Sequence, residues 1–123
     1  MGRSSRKEKQ MLIQSQNKRI LYNIKNIKEI FIKKNQRRTM GSYSICIWQN
    51  PTARGIWRNY PVDIATYKEK SKEHIYNIGK EKLNILEEKA FEKISMVIEE
   101  IKAKINGHYE GVFELPQDNE VEV

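Results

Sequence analysis

The sequence predicts an α+β fold: one antiparallel sheet of about five or six strands, followed by one long C-terminal amphipathic helix. Three observations predict it. Short apolar runs up to residue 79 alternate with a period of two, as half-buried strands do. Turn-forming residues, among them Asn17, Gly41, Pro51 and Gly55, separate these runs. Beyond residue 84 the apolar residues recur at spacings of three and four, the period of a helix laid on a core.

Taken in order, Leu12-Ile13 opens the first strand and Gln16-Asn17-Lys18 reads as a hairpin turn. Ile20, Tyr22 and Ile24 alternate with Arg19, Leu21 and Asn23, which predicts a second strand with one buried face. Ile30 and Ile32 flank Phe31 in a third. The polar stretch KKNQRRTMGS is then a loop, with Gly41 available for a positive φ. Tyr43, Ile45 and Ile47 give a fourth strand that Asn50-Pro51 stops, because a residue before proline is pushed out of helical space. Ile56, Trp57 and Tyr60 suit a fifth strand with an edge or bulge at Pro61, continued by Val62, Ile64 and Thr66. KEKSKE is a charged turn, and Ile75, Tyr76 and Ile78 form a last strand ending at Gly79.

The helix is predicted over about 85–106. Asn84 with Glu87 resembles a capping box, and Leu86, Ala90, Ile94, Val97, Ile98, Ile101 and Ile105 form one apolar stripe that Phe91 widens. Gly107 is the stop. Strands followed by a C-terminal helix also match a strongly curved, PH-like arrangement, by analogy alone.

A chain of 123 residues forms one domain with a modest core, since hydrophobic residues are 38% and charged residues 32% of it. Residues 1–10 form a basic arm without apolar anchors, expected to be disordered; 11–115 are the domain; 116–123 are an acidic tail. No uncharged apolar window is long enough for a membrane span, and the basic start lacks the apolar stretch of a signal peptide. The single Cys46 fits a reducing compartment, so a cytoplasmic location is expected.

Charge is unevenly spread. Residues 1–40 hold 12 bases and two acids, a net of +10. Residues 41–80 hold six bases and three acids, net +3; residues 81–123 hold five bases and eleven acids, net −6. A basic N-terminal part attracts phosphates or a nucleoprotein, although Lys-, Ile- and Asn-rich usage is also what an AT-rich genome produces. Arg37-Arg38 weighs against that plain compositional origin.

The pieces Ser15-Gln16, Asn17-Lys18, Ile20 to Asn23 and Asn26-Ile27, then Ile78-Gly79, the Ala90-containing run from Leu86 to Ile101, and Phe113-Glu114-Leu115-Pro116 together resemble a family of small uncharacterised proteins of Firmicutes and their phages. The resemblance covers most of residues 11–118 and departs from the family at the basic extension and at the Trp-rich stretch from Ile45 to Tyr67. It implies a phage or mobile-element origin and carries no activity with it.

Catalytic patterns are missing from the sequence. His74 and His108 stand far apart, and there is no CxxC, HxxxH or HExxH, so neither a metal nor a cofactor is expected. Cys46 between Ile45 and Ile47 reads as a buried, inert thiol. The helix glutamates lie off the apolar stripe, and no glycine-rich phosphate loop occurs. An enzyme is not expected.

What remains is aromatic residues interleaved with bases: Trp48, Arg54, Trp57, Arg58 and Tyr60, beside the basic positions Lys18, Arg19, Lys33, Lys34, Arg37 and Arg38. Such a mixture suits interface hot spots and base-stacking surfaces, while either tryptophan could equally close the end of the core. Three functions compete. The first is a non-catalytic phage or mobile-element protein that binds and inhibits a host protein or ribonucleoprotein by occlusion, as an anti-CRISPR-like inhibitor of host defence would. The second is a direct DNA- or RNA-binding protein using the basic half, and the third a sponge for a nucleotide signal. The sequence leaves the partner's identity and the oligomeric state open.

Overall fold

The computed structural model describes residues 10–35, 41–50, 61–68 and 79–122. The elements are β1 (Met11–Gln14), β2 (Leu21–Asn23), a 3-10 turn (Ile24–Asn26), β3 (Ile27–Lys34), β4 (Ser42–Gln49), β5 (Val62–Lys68), helix α1 (Lys80–Asn106), β6 (Gly111–Glu114) and a second 3-10 turn (Asp118–Glu120). The α+β class holds, and five strands precede the helix, but the expectation that the helix comes last is corrected: β6 follows it and returns to pair with β1. The predicted strands at Ile56–Tyr60 and Ile75–Ile78 lie outside the described residues.

The single sheet of five or six strands is corrected. Among the described residues the strands form two sheets of three, in the orders β2-β1-β6 and β3-β4-β5, and neither closes into a barrel. The first is mixed: β1 runs antiparallel to β2 and parallel to β6. The division has a local cause. The Asn23 side chain accepts a hydrogen bond from the Lys25 N–H at 2.9 Å and caps the 3-10 turn, which redirects the chain between β2 and β3. No pairing between β2 and β3 forms as a result.

The β1–β2 hairpin turns where the sequence places it. Lys18 takes φ +64, Ser15 N–H donates to Ile20 O at 2.9 Å, and Asn17 Oδ1 accepts from Ser15 Oγ and the Arg19 N–H. Tyr22 is buried as the alternation requires, but Ile20 is not: it sits in the hairpin's base with 47% of its surface exposed. Gly41 adopts φ +87, the left-handed conformation expected of it.

α1 starts a full turn earlier than the capping box implies. Gly79 is its N-cap, without a side-chain cap, and the Leu83 N–H reaches back to Gly79 O at 3.0 Å. Lys80 to Leu83 contains only good helix formers, so nothing stops the helix from extending past Asn84. The far end is as predicted, with the Gly107 N–H bonded to Ala103 O. At 27 residues α1 is about 40 Å long. It packs on β4 and β5, burying Ala90, Ile94, Val97 and Ile101 from the predicted stripe.

One core joins both sheets and the helix. Ile13, Ile45, Ile47, Ile94 and Ile101 are fully buried within it, each contributing about 1.5–3 kcal/mol. A bulge in β5 skips Ile64 in the register between Asp63 and Ala65, so both Ile64 and Ala65 are buried.

The C-terminal segment after β6 is fastened down. Tyr67 Oη donates to Pro116 O at 2.7 Å, Gln117 Nε2 donates to Gln16 O at 2.6 Å, and Val121 is buried. Gln16 also joins the two sheets: its N–H donates to Ile64 O, its Oε1 accepts from the Thr66 N–H, and its Nε2 donates to Thr66 O and Pro116 O. Its amide thus pairs with β5 as a short extra strand would.

Candidate interaction surface

Alternation along the first sheet gives it two unlike faces. Met11, Ile13, Tyr22 and Phe113 point into the core and are buried. The other face carries Gln10 just before β1, Leu12 and Gln14 from β1, Leu21 from β2, and Val112 and Glu114 from β6. The register sets Leu12 beside Val112 and Gln14 beside Leu21. Leu21 is 52% exposed and Val112 41%. The amide oxygens of Gln10 and Gln14 are buried on this face without a hydrogen-bond partner. At one end of the sheet stand Lys18 and Arg19, both exposed on the hairpin turn. Apolar area edged by arginine and lysine is the make-up of a protein-binding patch.

The remaining predicted positions are not brought together there. Lys33 and Lys34 are neighbours on β3 and therefore point to opposite faces of the second sheet. Lys33 pairs with Asp63 at 3.2 Å, and Lys34 pairs with Glu87 of α1 at 3.3 Å. Trp48 is half-buried on β4, in register with Glu29 and on the face away from α1. Arg37, Arg38, Arg54, Trp57, Arg58 and Tyr60 lie outside the described residues. Among the described residues the basic half of the sequence therefore forms no single patch.

A second feature was legible in the sequence only on its helix side. Ile24, Ile27 and Ile30 face Ile98, Ile101 and Ile105 across a groove of about 310 Å³, with Lys28, Glu29 and Lys102 at its rim. The groove runs beside β3, which among the described residues is an edge strand. Ile98, Ile101 and Ile105 were legible as part of the helix stripe; that Ile105 would stay 38% exposed was not.

Reactive groups are held quiet. Cys46 is fully buried and donates from Sγ to Asp63 Oδ1 at 3.0 Å. Burial, then the hydrogen bond and charge of Asp63, push its thiol up to about 12 against the opposing pull of Lys33. His108 is exposed just past the helix end with φ +54. Among the described residues no three His, Cys, Asp or Glu side chains are placed to share a metal ion, and no helix is long and apolar enough to cross a membrane.

No protein-family model matches the chain, and neither a curated protein nor a solved structure shows significant similarity to it.

Proposed function

We propose that the chain is a non-catalytic binding protein that inhibits a host protein or ribonucleoprotein by occlusion, as an anti-CRISPR-like inhibitor of host defence does. It would act in the cytoplasm of a bacterial host. A phage or mobile-element origin rests on the resemblance of short pieces over most of residues 11–118 to that family. The observation that carries the binding role is the outer face of β2-β1-β6, where exposed Leu21 and Val112 lie across β1 from each other with Lys18 and Arg19 at the sheet's end. Apolar side chains left in the open favour a protein partner, because they bury nothing against a phosphate backbone. The pairing of Lys33 and Lys34 with carboxylates also favours a protein over a bare nucleic acid.

The test is copurification from a bacterial host at low and high salt, with and without nuclease, in parallel with Leu21→Lys and Val112→Lys chains. The expected result is a stoichiometric protein complex that survives high salt and nuclease and is lost in both variants while they stay folded. Nucleic acid recovered alone and released by salt would overturn the reading in favour of direct nucleic-acid binding. A complex unaffected by either substitution would remove this face from it.

A further inference from the structure

We infer that the chain self-associates through β3, with the β3 strands of two copies pairing antiparallel about a two-fold axis at Phe31. β3 is an eight-residue strand at the edge of its sheet, so among the described residues its outer row of N–H and C=O groups has no strand partner. The occupant follows from the order of side chains along it, IKEIFIKK. Antiparallel pairing about Phe31 sets Ile30 opposite Ile32 of the second copy, and Ile32 opposite its Ile30. It also sets Glu29 opposite Lys33 of the second copy, and Lys33 opposite its Glu29. Each relation occurs twice by symmetry, which is what a two-fold interface demands.

The faces agree with this register. Ile30 and Ile32 lie on the α1 side of the sheet, where the isoleucine groove opens, so Ile32 of the second copy comes to the groove beside Ile30. Glu29, Phe31 and Lys33 share the opposite face, where the charge pairs and the two phenylalanine rings meet; Glu29, next to the bulge after Ile27, also borders the groove. One like-charge relation is created, Lys28 against Lys34 of the second copy, where Glu87 lies 3.3 Å from Lys34; Lys33 in turn pairs with its own Asp63 at 3.2 Å, so Glu29 of the second copy joins that pair rather than meeting an unpaired charge. Shifting the axis by one residue to Ile30 sets Glu29 against Phe31 and loses both charge pairs. The product is a continuous six-stranded sheet carrying one helix per chain.

The test is sedimentation of the full chain from about 1 to about 200 µM, a range that covers weak self-association. The parent is expected to dimerise. Glu29→Lys and Lys33→Glu, each setting like charges opposite one another twice, are expected to weaken it about tenfold or more. An equimolar mixture of the two restores opposite charges at both sites, and is expected to recover the dimer. A Phe31→Cys chain supplies a measurement that does not depend on charge. On oxidation it is expected to give a covalent dimer, whereas Lys34→Cys, about 20 Å from its own copy in this register, is not. A parent that sediments as a monomer throughout would overturn the inference. So would dimerisation that neither charge reversal weakens, or failure of Phe31→Cys to cross-link.

Discussion

Lys93 and Asp118 form a 3.3 Å ion pair that ties the middle of α1 to the C-terminal segment, and the two partners are unequally buried: 8% of the Lys93 side chain is exposed against 25% of the Asp118 side chain. Lys93 Nζ also donates to Lys68 O at 2.9 Å, and Asp118 Oδ1 accepts from the Lys68 N–H at 3.0 Å. Helix, β5 and C-terminal segment therefore meet at one carboxylate. Removing a partner from a buried pair costs chiefly through the charge left behind. Asp118→Ala takes the carboxylate away from a buried ammonium that then donates to backbone carbonyl oxygen such as Lys68 O without a counter-charge, and should lower stability by about 2–4 kcal/mol. Lys93→Met leaves a carboxylate that water can reach, and should cost less. Urea unfolding of the two variants gives the order; equal losses, or a larger one for Lys93→Met, would contradict the asymmetry.

Gln16 makes a second junction, and its amide both donates and accepts there. Gln16→Glu keeps the oxygen that accepts from the Thr66 N–H but cannot donate to Thr66 O or Pro116 O. It should therefore destabilise about as much as Gln16→Ala, by about 1–3 kcal/mol. Thermal or urea unfolding of both variants checks this, and a Gln16→Glu chain as stable as the parent would show that the donated bonds contribute nothing.

What could be read from the sequence was mostly local. The hairpin at Asn17-Lys18, the positive φ of Gly41, the stripe of α1 and its stop at Gly107 each follow from a few adjacent residues. The division into two sheets does not, because β6 pairs with β1 across a hundred residues and its run, Val112-Phe113, is too short to announce a strand. Lys93 shows the same limit: nothing in a lysine between Glu92 and Ile94 announces the Asp118 carboxylate that the fold brings onto it. Of the candidate surface, Lys18 and Arg19 were visible as charges. Leu21 and Val112 were not, since alternation with Tyr22 and Phe113 says which side chains are buried and nothing about whether the opposite face is covered.

Two isoleucines of the same helix stripe should respond very differently to truncation. Ile101 is 2% exposed and part of the core, whereas Ile105, one turn on, is 38% exposed at the groove. Ile101→Ala should cost about 2–5 kcal/mol through lost burial and the cavity left behind, and Ile105→Ala about 1 kcal/mol or less. Denaturant midpoints at constant slope test the difference.

Alkaline pH should lower the protein's stability in two successive ranges. The Cys46 thiol rises from an ordinary 9.0 to about 12 in the folded chain, mainly by burial and then by Asp63. The unfolded chain then releases this proton first, so the stability it provides is intact below about pH 9 and is lost as pH climbs toward 12. Tyr67 is pushed up by burial and by Asp118 and Glu120, and Tyr22 by burial, both from an ordinary 10.0, so their contributions fall away in the same direction but only above pH 10. Each proton limits the slope to about 1.4 kcal/mol per pH unit. Urea unfolding of the parent at a series of pH values should show stability falling from about pH 9 and more steeply beyond pH 10. Cys46→Ser, whose hydroxyl does not titrate, should hold its stability between 9 and 10 and decline only beyond. A Cys46→Ser chain that loses stability from pH 9 as the parent does would show that some other group titrates first.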